Sequence, residues 1–130
     1  MDSEESALEI VLWATDVPAL AGFLQQVTGL EIAQQHPGFA RLGMGPNSLS
    51  IHADEAYQGH PWFDALHREG LARGIGTELR FSVPDINESY RTAIRAGASI
   101  VYPPHEQEDS VECQVLAPGG YLVTLRQPAG

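Results

Sequence analysis

The chain has 130 residues, of which 43% are hydrophobic and 18% charged, so we expect one globular domain and no second one in this length. It carries 17 acidic residues against 7 basic ones, all of them arginine, and a formal net charge of -10. The absence of lysine excludes a Schiff-base enzyme and a Walker-type phosphate loop, and the negative charge disfavours nucleic acid and anionic membranes as partners.

The apolar runs and the start of the sequence predict a compartment. The longest apolar runs are far shorter than a membrane span, and the acidic start differs from the basic start of a signal peptide. We therefore expect a cytoplasmic protein.

The single cysteine, Cys113, cannot form an internal disulfide, and we expect it to be a small buried hydrophobe in a strand.

The first half of the chain predicts a strand, a helix and three more strands. Residues 8–16 alternate for the length of a strand, and Asp16 can cap the helix that follows, with Pro18 in its first turn. We expect this helix to reach about Val27 and to end at Gly29. A strand at 30–33 and a hairpin of strands 39–44 and 48–52 follow.

A connecting segment at 54–75 precedes a second half of the same design. Pro61 and apolar residues at helical spacing predict a short helix over 61–67, in which we expect Trp62 and Phe63 to pack into the core. The second half then predicts a strand at 77–85, a helix at 87–95 that ends at Gly97, and a strand at 99–102. A hairpin of strands 111–116 and 121–126 closes the chain.

The two halves align as an internal repeat. An offset of 69 residues aligns Glu9 with Glu78 and Asp16 with Asp85. An offset of 72 residues superimposes the two proline turns, and it aligns His52 with Thr124. The sequence therefore predicts a unit of one strand, one helix and three strands used twice, as modules at about 7–53 and 76–127 of one domain.

These segments, in this order, resemble the vicinal oxygen chelate superfamily, which includes glyoxalase I, bleomycin resistance proteins, fosfomycin resistance enzymes and extradiol dioxygenases. The resemblance covers residues 8–126, and Ala117 replaces the aspartate that usually precedes the last Pro-x-Gly. It implies an α+β fold of two βαβββ modules, whose curled mixed sheets form a ligand cup with the helices on the convex side. The most specific matches are Thr15-Asp16-Val17 with Thr28-Gly29-Leu30, Val83-Pro84-Asp85 with Ala96-Gly97-Ala98, and residues 116–125.

The alternation of side chains along strands predicts which residues line such a cup. One set would face the helices: Leu8, Ile10, Leu12, Leu79, Phe81 and Val83. The opposite set would contact the ligand, and its expected binding residues are Val11, Trp13, Ser50, Arg80, Ser82, Leu122 and Arg126.

In the superfamily a metal, where present, is held at four repeat-related strand positions, and these correspond here to Glu9, His52, Glu78 and Thr124. Both first-strand positions hold Glu in place of the usual His, and threonine is a poor ligand. Glu9, His52 and Glu78 are therefore the candidate ligands of one divalent Ni, Zn, Mn, Mg or Fe ion. In the other interpretation, which the departures from the family pattern favour, the strand glutamates pair with Arg80 or Arg126 and the cup holds no metal. We expect the remaining histidines at the surface: His36, His60, His67 and His105.

Two functions remain open. The first is a metal-free, homodimeric binder of a cationic or aromatic small molecule, similar to the bleomycin resistance proteins, in which Trp13 stacks on the ligand and Glu9 and Glu78 meet its positive groups. The second is a lyase or isomerase of the glyoxalase type, in which a divalent metal polarises vicinal oxygens and Glu9 or Glu78 is the catalytic base. An extradiol dioxygenase fits less well, since its iron site calls for two histidines and one carboxylate.

Overall fold

The structure is a computed structural model that describes residues 8–64, 73–74 and 76–129. The chain divides into two compact units, Met1–Gly22 with Leu30–Leu71 and Phe23–Gly29 with Ala72–Gly130. Each unit holds one four-stranded mixed sheet. Within the described ranges, no helix is both long and apolar enough to cross a membrane.

The first unit contains the sheet of the first repeat. Its strands are β1 (Glu9–Ala14), β2 (Ile32–His36), β3 (Phe39–Met44) and β4 (Asn47–Ala53), in the order β1-β4-β3-β2. β1 and β4 are parallel, and the other pairs are antiparallel. A short 3-10 helix, Asp54–Tyr57, follows β4. The sequence patterns did not predict it.

The second unit repeats this arrangement. Its strands are β5 (Glu78–Ser82), β6 (Ser99–Glu106), β7 (Ser110–Leu116) and β8 (Leu122–Pro128), in the order β5-β8-β7-β6. The parallel pair is again the first strand with the last, β5 with β8. The prediction of an α+β fold built from two strand-helix-three-strand repeats is confirmed.

The helix of each repeat begins and ends where the sequence signals predict. α1 (Val17–Thr28) follows Asp16, whose Oδ1 accepts a hydrogen bond from the Ala19 N–H at 3.1 Å. α2 (Ile86–Arg95) follows Asp85, whose Oδ1 accepts one from the Glu88 N–H at 3.2 Å. Gly29 and Gly97 follow the helix ends with φ of 81° and 102°, the left-handed conformation that glycine adopts without strain. α1 contributes residues to both units.

The core side of each sheet follows from strand alternation. In the first unit the buried side chains come from alternate positions of the strands: Leu12, Ala14, Ala40, Leu42, Leu49 and Ile51. In the second unit they are Leu79, Cys113, Val115, Val123 and Leu125, and α2 contacts β6, β7 and β8. The prediction that Cys113 is a buried strand residue is confirmed. Leu8 is an exception to the predicted core side, because it precedes β1 and is 54% exposed.

Some boundaries differ from the sequence prediction. β2 begins two residues later than expected and extends to His36. β6 continues past Tyr102 to Glu106. It is an edge strand with irregular register, so Pro103 and Pro104 remove few hydrogen bonds from the strand ladder. His36 and His105 therefore lie in strands and not in the predicted loops, although both are exposed. The predicted core packing of Trp62 is wrong, since its side chain is 69% exposed. Residues 65–67 of the predicted connecting helix, including His67, lie outside the described residues.

The two hairpins differ in turn length, and this changes the repeat alignment. Met44 pairs with Asn47 across a two-residue turn, whereas the Ala117 N–H bonds to the Tyr121 carbonyl across the three residues Pro118–Gly120. Pro46 is the second residue of its turn and Pro118 is the first of its own, so superimposing the prolines shifts the strands by one residue, and the longer second turn adds another. Strand pairing places Ser50 beside Val11 in β1, and Thr124 beside the repeat-equivalent Arg80 in β5. The alignment of His52 with Thr124 is therefore wrong by two residues: Ser50 is the equivalent of Thr124, and His52 is the equivalent of Arg126.

Candidate functional site

Each sheet has a polar face opposite its buried face. In the first unit, β1 contributes Glu9, Val11 and Trp13 to that face, and their partners in β4 are Ser48, Ser50 and His52. In the second unit, β5 contributes Glu78, Arg80 and Ser82, and their partners in β8 are Leu122, Thr124 and Arg126. The residues predicted for the ligand side thus lie on these two faces, one set in each unit.

The same hydrogen bond occurs at the equivalent place in both repeats. The Ser50 hydroxyl donates to Oε2 of Glu9 at 2.8 Å, and the Thr124 hydroxyl donates to Oε2 of Glu78. Ser50 and Thr124 are both fully buried, which fixes the donor in place while the carboxylate stays exposed. A neighbouring strand therefore orients each of the two repeat-related carboxylates.

The polar face of the second unit carries a network of charged and amide side chains, here called the Glu78 network. Arg80 donates to Oε2 of Glu78 at 3.0 Å and to Oε2 of Glu112 at 3.1 Å. Gln114 donates to Glu78 at 3.3 Å, and Arg126 lies 3.7 Å from Glu112. The Thr124 hydroxyl first and then the Arg80 guanidinium hold the pKa of Glu78 below its usual range, although partial burial opposes them.

The polar face of the first unit carries rings instead. The aromatic cluster consists of Trp13, Phe39, His52, Tyr57 and His60. Trp13 and Tyr57 stack with ring centroids 3.9 Å apart and planes 7° apart. His60 stands edge-on to Trp13 at 5.1 Å, and Phe39 contacts His52 at 5.3 Å between ring centroids. The 3-10 helix after β4 carries Tyr57 and so returns its ring over β1.

One hydrogen bond lies inside the aromatic cluster and joins Tyr57 to His52. The Tyr57 Oη lies 2.7 Å from Nδ1 of His52. Burial, with the nearby Glu9 charge as the second cause, raises the pKa of Tyr57, so the phenol keeps its proton at neutral pH. A phenol hydroxyl that donates to Nδ1 requires the histidine tautomer that carries its proton on Nε2.

Sequence reasoning did not identify Tyr57 and assigned His60 to the surface alone. His60 is exposed, yet its ring edge contacts both Trp13 and Tyr57. Both residues follow β4, outside any alternating or helical pattern, so periodicity cannot assign them to a face. The sequence feature that could have identified them is a tyrosine and a histidine within seven residues of the end of β4, a strand of the predicted cup.

The candidate metal ligands make other contacts within the described ranges. Across residues 8–64, 73–74 and 76–129, no three His, Cys, Asp or Glu side chains come together in a way that suits a metal ion. In the first unit Glu9 pairs with Ser48, and His52 lies four residues further along β4, about 13 Å at the usual rise of a strand. Glu78 accepts three hydrogen bonds at Oε2, one of them from a guanidinium. These side chains make contacts that compete with metal binding.

Comparison with known proteins identifies the fold. No protein-family model matches the sequence, and no curated protein matches it either. Among solved structures, a glyoxalase/bleomycin resistance protein/dioxygenase family enzyme from Burkholderia phytofirmans PsJN is 23% identical, with a TM-score of 0.75 over 95% of this chain and 99% of that one. A glyoxalase-related enzyme from Fulvimarina pelagi is 16% identical, with a TM-score of 0.71 over 95% of this chain and 88% of that one.

A third solved structure is similar over nearly its full length. A glyoxalase/bleomycin resistance protein from Albidiferax ferrireducens T118 is 14% identical, with a TM-score of 0.69 over 96% of this chain and 98% of that one. The fold predicted from the resemblance to the vicinal oxygen chelate superfamily is therefore confirmed. Fold alone does not assign an activity, because one scaffold can carry many chemistries.

Proposed function

We propose that this chain, which has the glyoxalase/bleomycin resistance/dioxygenase fold, binds a cationic or aromatic small molecule without a metal. The observation that carries the proposal is the indole face of Trp13 on the polar face of the first unit, on which the Tyr57 ring stacks. An aromatic face that holds one ring in this way can also bind a planar ring or a cation.

The charges favour a cation over an anion. The Glu9 carboxylate is close enough to raise the pKa of Tyr57, so it also favours a positive group beside the aromatic cluster. The net charge of -10 also raises the local concentration of cations around the protein, which favours a positively charged ligand. Two arginines would otherwise favour an anion, but Arg80 contacts two carboxylates and Arg126 lies 3.7 Å from the Glu112 carboxylate.

The alternative is a divalent-metal-dependent lyase or isomerase of the glyoxalase type that uses Glu9, His52 and Glu78. The contacts described above support the metal-free proposal, since Glu78 binds a guanidinium and His52 Nδ1 bonds to Tyr57. Protein purified without a chelator should show the same melting temperature with and without added Ni, Zn, Mn, Mg or Fe. A rise of several degrees with one metal that is lost in Glu78→Gln would contradict the proposal and favour the lyase.

Ligand binding can be followed at Trp13 itself. In a Trp62→Phe background, Trp13 is the remaining tryptophan, because the sequence contains two. We expect its fluorescence to respond to a basic ring compound such as tyramine, the response to weaken at high salt, and Trp13→Phe with Trp62 retained to bind more weakly. Binding of acidic metabolites or 2-oxoaldehydes in place of basic ring compounds would contradict the proposal.

A further inference from the structure

We infer that Tyr57 occupies the ligand's own position on Trp13, and that the ligand is an aromatic ring bearing a hydroxyl group and carrying no negative charge. The inference deepens the proposed function and rests on it. At 3.9 Å between centroids and 7° between planes, the two rings are in face-to-face contact, so no third ring fits between them. A ligand that stacks on this face of Trp13 must displace Tyr57.

The surroundings of the Tyr57 ring are those of a bound phenol. Its hydroxyl lies within hydrogen-bond distance of His52, 2.7 Å from Nδ1. Its edge faces His60, whose ring stands at 88° to it at 6.1 Å between centroids. Stacking, edge contact and one directed hydrogen bond therefore converge on one ring position, and a phenolic ligand there would form all three.

The charge beside this position selects among hydroxylated rings. Glu9 lies on the same face of β1 as Trp13, and the chain carries a formal net charge of -10, so the field beside this position is negative. A phenolate or an aromatic carboxylate would be repelled, whereas a ring with an ammonium group would be attracted. Neutral and cationic hydroxy-aromatic compounds are the class that this position accepts.

Tyr57 can leave its position without disturbing the sheet. It is the last residue of the 3-10 helix Asp54–Tyr57 and lies outside the strand ladders. Gly59, with φ of 88°, follows two residues later, so the chain reverses direction there in a conformation that glycine adopts without strain. Rotation of the Tyr57 side chain breaks its hydrogen bond to His52, its stack on Trp13 and its ring contacts with His52 and His60, and a phenolic ligand in the same position restores them.

The test measures tyramine binding by calorimetry to the wild type and to Tyr57→Ala, with Tyr90→Ala as the matched control. Tyr90 lies in α2 of the other unit and is half-buried. If Tyr57 competes with the ligand and leaves Trp13 open in about a tenth of molecules, Tyr57→Ala binds tyramine about tenfold more tightly, and Tyr90→Ala binds like the wild type. Phenethylamine, which lacks the hydroxyl, and 4-hydroxyphenylacetate, which is anionic, should bind several-fold more weakly than tyramine to Tyr57→Ala.

The outcomes separate this inference from the proposed function. Weaker tyramine binding by Tyr57→Ala would show that Tyr57 is a permanent part of the platform, which overturns the inference and leaves the proposed function in place. Absence of binding to wild type and variant alike would overturn both. Tyr57→Phe keeps the ring but loses the bond to His52, so we expect about fourfold tighter tyramine binding, and unchanged or weaker binding overturns the inference even if Tyr57→Ala does not fold.

Discussion

At the scale of single residues, one carboxylate in each repeat is held by a buried hydroxyl from the neighbouring strand. Ser50 binds Glu9 and Thr124 binds Glu78, so the repeat conserves a local geometry while the surroundings differ. Around Glu78 the neighbours are charged, whereas around Glu9 they include the rings of the aromatic cluster. Equivalent positions of one fold have thus acquired different chemical environments.

The lowered pKa of Glu78 predicts a pH-dependent contribution to stability. Because the folded-state pKa lies below the unfolded value of about 4.3, the carboxylate stabilises the fold above that value and loses this effect as the pH falls through the lowered pKa. Glu78→Gln should therefore lower the free energy of unfolding at pH 7 by up to about 1 kcal/mol, a figure kept small because the side chain is partly exposed.

The check is urea unfolding of the wild type and Glu78→Gln between pH 7 and pH 2. The difference between the two proteins should shrink towards the acid end. Glu108→Gln, in the exposed turn between β6 and β7, is the matched control and should unfold like the wild type. A difference that grows as the pH falls would contradict the assignment.

Cys113 provides a second prediction at the scale of one residue. Burial raises the pKa of its thiol to about 11, so almost no thiolate exists at pH 8. The folded protein should resist iodoacetamide at that pH, and the protein unfolded in urea should react at the rate of a free thiol. Rapid labelling of the folded protein, followed by mass spectrometry, would contradict the buried position in β7.

At the scale of elements, the helices depend on their N-terminal caps. Asp85 accepts a hydrogen bond from the Glu88 N–H, and such a cap contributes about 1 kcal/mol. Asp85→Ala should lower the free energy of unfolding by about that amount, whereas Asp85→Asn should largely preserve it. Chemical denaturation of both variants, with helix content followed by circular dichroism, checks the expectation. Equal loss in the two variants would indicate that charge, and not capping, is responsible.

The segment before β5 is anchored to the turn before β8 through glycine. The Gly74 N–H donates to the Gly120 carbonyl at 2.8 Å, and a Cβ on Gly74 would lie 2.6 Å from that oxygen and 2.8 Å from the Cα of Tyr121. Both neighbours are backbone atoms, so neither can move aside cheaply. Gly74→Ala should therefore lower the free energy of unfolding by about 1–3 kcal/mol.

A second glycine supplies the control for this expectation. Gly22, in α1, has no atom within 4 Å of an added Cβ, so Gly22→Ala should be neutral or stabilise by up to about 1 kcal/mol. Thermal unfolding of the two variants measured side by side should give shifts of opposite sign. An unchanged melting temperature of Gly74→Ala would contradict the expected clash of the added Cβ with the backbone of Gly120 and Tyr121.

At the scale of the whole molecule, the sheets leave edges for which we expect a partner. The edge strand β6 carries Ile100, Val101 and Tyr102, which are 44–56% exposed, a run of apolar side chains at the end of its sheet. Exposed edges of this kind are commonly covered by a second copy of the chain. Light scattering at micromolar concentration should therefore give twice the chain mass of 14.1 kDa, and a monomer mass would contradict the homodimer.

The sequence by itself determined the elements and the faces. Alternation along β1 and β5 separated Leu12 and Leu79 from Glu9 and Glu78, and the capping aspartates with Gly29 and Gly97 marked the helix ends. These signals are local, since each depends on residues a few positions apart in the chain. The resemblance to a known superfamily then supplied the arrangement of the two repeats, which local patterns do not contain.

Only the tertiary structure decided which strand positions pair in each repeat and which side chains contact each other. Aligning the two proline turns placed His52 with Thr124, but the prolines occupy different positions in turns of different length, and strand pairing makes Ser50 the equivalent instead. The stack of Tyr57 on Trp13 joins residues 44 positions apart through a 3-10 helix that no periodicity marks. Such contacts depend on turn length and on where the chain returns in space. The alternation of apolar and polar residues along a strand determines neither of these.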